Sequence, residues 1–218
     1  MAIWLRDLRS EFRTRYAANA ILMFALTTLI AVSFSIGSFR IGETEKPFLY
    51  AVLLWIILVF SALSGLSRSF VKEREAGTID VLRLSARPQA VFLGKLFFNL
   101  TLLLALESII VPLFILLMEY KIESFGLFAA MIISGGFGLA AGTTVVAAMI
   151  AQASARGALF SALSFPLLLP LMITGIKGCE RAAIGVGVTG WPEVKISLAY
   201  VIIMITMSLL LFPLVWEE

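Results

Sequence analysis

The chain has 218 residues, of which 61% are hydrophobic and only 14% charged, and its mean hydropathy is +1.02. A water-soluble globule of this length cannot hide so much apolar surface, so the composition specifies an integral membrane protein. The net charge of +3 is small, and the basic residues sit beside apolar runs as juxtamembrane anchors do, which points away from nucleic acid as a partner. Histidine is absent, which removes the commonest metal ligand, haem ligand and general base. The single cysteine, Cys179, allows no internal disulfide.

Residues 2–16 predict an amphipathic helix. At about 100° per residue, Trp4, Leu5, Leu8, Phe12 and Tyr16 fall on one arc, and Arg6, Arg9 and Arg13 on another. Such a helix lies in the membrane interface with its arginines toward anionic headgroups; the alternative is a plain charged tail. The stretch is too polar for a cleavable signal peptide, and the apolar run behind it is long enough to span.

Six apolar spans follow, each of about the 20 residues a crossing needs. The expected limits are Ala17–Ile36, Pro47–Ser67, Val91–Met118, Phe125–Ala151, Gly157–Ile176 and Ile196–Trp216. Glu107 and Pro112 interrupt the third. The fourth is rich in small residues, including Gly138 and Gly142 at GxxxG spacing, which suits close helix packing within the chain first and a dimer face second. In the fifth, Pro166 and Pro170 remove two ladder bonds on one face and predict a kink or local opening, either a hinge or a tolerated bend. Lys177–Lys195 reads as a loop.

The densest charge lies between the second and third spans, in FVKEREAGTIDVLRLSARPQAVFLGK from Phe70 to Lys95. Phe70–Leu84 has helix-compatible spacing, with Val71, Ile79 and Leu82 on one side; Gly77 weakens the helix and Pro88 ends it. The expectation is a short helix at the membrane surface, followed by a turn back into lipid. An ordinary solvated loop is the alternative.

Orientation follows from Lys and Arg. With the N-terminus cytoplasmic, the inner segments hold 11 of the 17 basic residues and the outer ones 6. Both termini and the charged stretch are then cytoplasmic.

Glu107 is the one ionisable group well inside a span. An intramembrane carboxylate is costly, so it faces a partner, a cavity or carries a proton. Gating or substrate contact is one reading, and a packing hydrogen bond the other, with Asn99, Thr101 and Ser108 as polar company. No GxxxxGK[ST] phosphate loop occurs, so ATP hydrolysis is not expected on this chain. No HExxH or CxxC occurs either.

The fold class expected is all-α: a single permease domain over residues 1–218, with six transmembrane helices, an N-terminal interfacial helix and a cytoplasmic helix between helices two and three. This layout resembles the membrane subunit of an ABC-2 exporter. More closely, the chain resembles the haem exporter protein B (CcmB) family of the cytochrome c maturation system. The family pattern after span two appears here as Phe70, Glu73, Gly77, Thr78, Ile79, Asp80, Leu82, Leu84 and Ser85. Gly94-Lys95 followed by Asn99 opens span three, and a PLLLP segment appears as Pro166–Pro170. Family members often place Pro directly after the Ser, whereas Ala86-Arg87 intervene here.

The resemblance implies a homodimer paired with two copies of a separate ABC ATPase subunit in the bacterial inner membrane. Residues 68–90 would be the docking segment, with Phe70, Glu73, Arg74, Gly77, Thr78, Asp80, Leu82 and Leu84 on the ATPase, whose closure would move spans one, two and five. Asn99, Glu107, Pro166 and Pro170 are the intramembrane polar or gating candidates. The cycle implied serves haem delivery for c-type cytochrome assembly, with other maturation membrane proteins and a periplasmic haem chaperone. This chain itself is expected to hold no cofactor or metal; ATP belongs to the partner, and haem is transferred or transported. The competing expectation is an ion-coupled secondary transporter with Glu107 as the proton site.

Overall fold

In lipid every backbone N–H and C=O must be satisfied within the chain, and uninterrupted apolar runs meet that demand as helices. The computed structural model describes residues 2–36, 42, 44–66, 77, 87–150, 156–185 and 191–217. Among them are seven helices: α1 Ala2–Thr14, α2 Tyr16–Ile36, α3 Lys46–Leu66, α4 Pro88–Met118, α5 Phe125–Ile150, α6 Arg156–Ile184 and α7 Pro192–Glu217. All but α1 are long and apolar enough to cross a membrane. The six predicted spans therefore stand, and the described part of the fold is all-helical.

Local chemistry sets the boundaries. Arg15 adopts φ 52°, a left-handed turn that separates α1 from α2. The Glu11 carboxylate accepts from the Ala18 N–H at 2.9 Å, occupying a donor that the first turn of α2 leaves free. α4 opens on Pro88 after an extended Arg87, the geometry a residue before proline prefers. Its C-terminus turns through Glu119 at φ 50°. Pro112 and Glu107 do not break α4, which is one helix of 31 residues.

Two expected limits shift. α6 does not stop at Ile176 but runs on to Ile184, so Lys177, Cys179, Glu180 and Arg181 are helical rather than loop. Hydropathy falls at Lys177, yet Cys179, Ala182 and Ala183 are buried against the rest of the chain, and packing carries the helix past the apolar run. It ends at Gly185, whose φ of 76° suits a glycine cap and whose N–H bonds the Arg181 carbonyl. α7 starts at Pro192 rather than Ile196, again with proline in the first turn.

The spans alternate in direction. The end of α3 meets the start of α2, where an added Cβ at Gly65 would fall 2.0 Å from Ile21. α5 and α6 run antiparallel: Gly138 lies against Leu171, Gly142 against Leu168 and Gly178 against Met131. The small residues of the fourth span thus serve packing within the chain. Phe212 near the end of α7 packs against Phe92 near the start of α4, with centroids 5.4 Å apart and the rings tilted by 50°.

The core centres on Trp55 of α3, which is fully buried. Its ring fits between Gly135 of α5 and Gly175 of α6; an added Cβ would lie 2.4 and 2.0 Å from it, respectively. The indole Nε1–H donates to Cys179 Sγ at 3.3 Å. At the Lys46 end, Tyr120 closes the bundle. Its hydroxyl donates toward the carbonyls of Pro47 (3.3 Å) and Cys179 (3.1 Å), and its ring meets Tyr50, Phe114 and Phe128 edge-on. Ser124 and Ala182 share a backbone bond there, and Arg181 pairs with Glu193 at 2.7 Å.

Candidate functional site

Of the expected docking set, Phe70, Glu73, Arg74, Thr78, Asp80, Leu82 and Leu84 lie outside the described residues. Gly77 is described. It is exposed, with φ 65° and nothing within 4 Å of an added Cβ. An α-helix needs φ near about −63° at each position, so no helix runs through Gly77. A glycine takes this conformation without the steric cost other residues carry, which the spacing of apolar positions does not register. The rest of the expected helix over Phe70–Leu84 lies outside the described residues.

Besides Arg181 and Glu193, charged groups come together between α1 and α4. Asp7 and Lys95 are 8% and 3% exposed, and their Oδ2 and Nζ atoms lie 2.7 Å apart. Asp7 also accepts from the exposed Arg6 at 2.8 Å. Gly94, next to Lys95, lets α1 approach closely: an added Cβ would be 2.9 Å from Ile3. The Trp4 indole donates to Thr101 Oγ1 at 3.2 Å, two turns along α4. Gly94-Lys95 is thus the seat of α1 on the third span.

Sequence reading missed this seat. It placed Trp4 with Leu5, Leu8 and Phe12 on one membrane-facing arc. Instead one face of the helix, Ile3, Trp4, Asp7 and Glu11, turns toward the protein, while Leu5 and Phe12 are exposed together with Arg9 and Arg13. Tyr16, expected on the same arc, belongs to α2, beyond the left-handed Arg15. The signal available was Asp7 and Glu11, four apart and off the arginine arc.

Further along α4 two polar residues turn toward α5. Asn99 is fully buried, and its amide donates to Thr144 Oγ1 on α5 at 2.8 Å. Glu107, two turns on, is 4% exposed, and both its carboxyl oxygens are buried without a hydrogen-bond partner. They rest on Gly136 of α5, where an added Cβ would be 2.6 and 2.7 Å from them. The expected polar company does not reach it. Thr101 bonds Phe97 O and Trp4, and Ser108 bonds Ala105 O.

Pro166 and Pro170 lie within α6, which stays helical through both. The Tyr200 hydroxyl of α7 donates to the Leu167 carbonyl between them at 3.1 Å. Among the described residues no group of His, Cys, Asp and Glu could hold a metal ion.

A buried ion pair and a close glycine contact link α1 to α4, and an amide–hydroxyl bond links α4 to α5.

Comparison with known proteins bears on what such a linkage serves. The family model described as CcmB protein matches residues 1–214. Heme exporter protein B of Bradyrhizobium diazoefficiens is 24% identical over 190 residues, covering 84% of this chain and 82% of that protein. Heme exporter protein B of Paracoccus denitrificans is 29% identical over 188 residues, covering 84% of each.

Proposed function

Since the chain belongs to the CcmB protein family, we propose that it is the transmembrane permease subunit of an ABC transporter complex acting in haem export or delivery for c-type cytochrome biogenesis. The observation that carries this reading is the match over residues 1–214 on a chain whose described residues fold into six membrane-length helices and α1. Two relatives named heme exporter protein B, each aligned over most of its length, support the substrate class.

Energy comes from a separate ATPase subunit, since the sequence holds no phosphate loop. Two copies of the chain pair in the inner membrane with both termini cytoplasmic, as the bias of basic residues favours. The charged stretch between α3 and α4 receives the ATPase. α1 lies at the same end of the bundle, bound to α4 through Asp7 and Lys95, so movement of the ATPase reaches α4 and α5 as well as the helices flanking the stretch. With no histidine in the chain, haem is not held by imidazole here. The subunit serves to power haem transfer or to release a haem-loaded periplasmic chaperone.

The test is co-purification with an ATPase from the native membrane, followed by replacement of Glu73 and Asp80. Each replacement weakens the coupling of ATP hydrolysis to haem delivery while the chain stays inserted. Full coupling in both replacements removes the docking assignment, and no associated ATPase removes the class. The orphaned Glu107 carboxyl favours a second reading, an ion-coupled transporter, marked by transport that needs no ATP and collapses with the proton gradient.

A further inference from the structure

Glu107 is the buried charge-bearing group that the linkage leaves unused. Both carboxyl oxygens are sealed from solvent, and neither has a hydrogen-bond partner. Lys95, the buried cation of the same helix, is twelve residues away, about 18 Å along the axis at ~1.5 Å per residue. It is paired with Asp7.

The elements packed against α4 bring no charge to Glu107. α5 has no charged residue from Phe125 to Ile150. α1 contributes Asp7 and Glu11, both engaged at the Lys95 end, and the arginines Arg6, Arg9 and Arg13. α2 has Tyr16 at its start, α3 has Lys46 and Tyr50 at its start, and α7 has Glu193, Lys195 and Tyr200, with Glu217 at its end. Tyr200 faces Gly142 and donates to Leu167, not to Glu107. Nothing among these pairs with the carboxyl.

An unpaired carboxylate in a water-free interior is too costly for a packed helix pair to hold without compensation. Among the described residues no second carboxylate, thiolate or imidazole gathers with Glu107 to hold a metal ion. The carboxyl rests closely on Gly136, where an added methyl would stand 2.6 Å from one oxygen. A proton compensates the charge without further ligands.

We propose that Glu107 is a proton-binding site of the α4–α5 seam, loaded while the carboxyl rests on Gly136 and emptied when the two helices part. On opening, water reaches the carboxyl, its O–H bond breaks, the electron pair stays on the carboxylate oxygen and the proton passes to water as hydronium. Closing reverses each step. The site is defined by this chain alone and does not depend on the ATPase reading.

The test is infrared spectroscopy of the full chain in phospholipid nanodiscs at neutral pH, read as wild type minus Glu107→Gln. The expected difference contains one protonated-carboxyl C=O band, which moves to lower frequency in deuterated buffer. Gly136→Ala pushes the carboxyl off its seat into hydration, so the band is lost at the same pH. If that variant does not fold, Glu107→Asp withdraws the carboxyl from Gly136 by one methylene and gives the same loss. A wild-type difference with no such band overturns the proposal. So does a band that persists undiminished in a folded displaced variant.

Discussion

Asp7 of α1 and Lys95 of α4 form an ion pair at 2.7 Å although 88 positions separate them in the sequence, and both are nearly sealed from solvent. A buried pair contributes little net stability over an apolar replacement, but removing one partner is costly. Here it fixes a surface helix to a spanning one. Asp7→Asn and Lys95→Met should each lower the unfolding midpoint in mixed micelles. The double replacement should cost less than the sum, with a coupling of about 0.5–3 kcal/mol. Strict additivity would show that the two charges do not sense each other.

Gly94 sets how near α1 can lie. A methyl there would stand 2.9 Å from both Cβ and Cγ2 of Ile3, a β-branched side chain whose Cβ is fixed to the α1 backbone and yields only if the helix shifts. Gly94→Ala should therefore already displace α1, and Gly94→Leu should displace it further and break the Trp4–Thr101 bond. Trp4 fluorescence, read against a background in which the other tryptophans are phenylalanine, should become more accessible to an aqueous quencher in the order wild type, alanine variant, leucine variant. Quenching unchanged in both variants would place the seat of α1 elsewhere.

The spans were legible because their signal is length and apolar content, which a linear reading measures directly. What it could not see were contacts made by burial from two sides. Lys177–Ile184 looked like loop because hydropathy drops there, while the residues that extend α6 are held by Trp55 and Tyr120 from far along the chain. Glu107 drew notice as an intramembrane charge, but its neighbour Gly136 carries no chemical mark. Only the packing of α5 on α4 brings them together. Asp7 was hidden for the opposite reason, since a carboxylate among arginines looks like part of a solvated face.

Trp55 offers a sharper test of packing. Its ring occupies the space in which a Cβ at Gly175 would stand 2.0 Å away, and ring atoms in a close-packed core cannot retreat as a flexible chain end can. Gly175→Ala should destabilise by about 1–3 kcal/mol, the usual range for overpacking. Trp55→Phe, which removes the larger ring, should recover part of that loss when combined with it. Gly42→Ala, with nothing within 4 Å of the added carbon, is the neutral control. A Gly175→Ala variant as stable as Gly42→Ala would mean that the ring does not occupy this slot.

Tyr120 closes the far end of the bundle, and its behaviour with pH can be worked out. Burial, reinforced by Cys179 and Glu180 nearby, pushes the phenol well above its ordinary range. The unfolded chain releases this proton near pH ~10. A group whose folded-state pKa is raised contributes stability that is complete below the unfolded value and is lost as pH climbs toward the folded one. Stability should therefore decline from about pH 10 upward, through the unfolded chain gaining a charge the folded one refuses. Tyr120→Phe removes both hydroxyl contacts, with Pro47 and Cys179, at a cost of about 1 kcal/mol at neutral pH. It should also flatten the alkaline decline. The check is chemical unfolding of both proteins in micelles across the alkaline range: curves that stay parallel would separate Tyr120 from the loss, whereas convergence as pH rises locates it there.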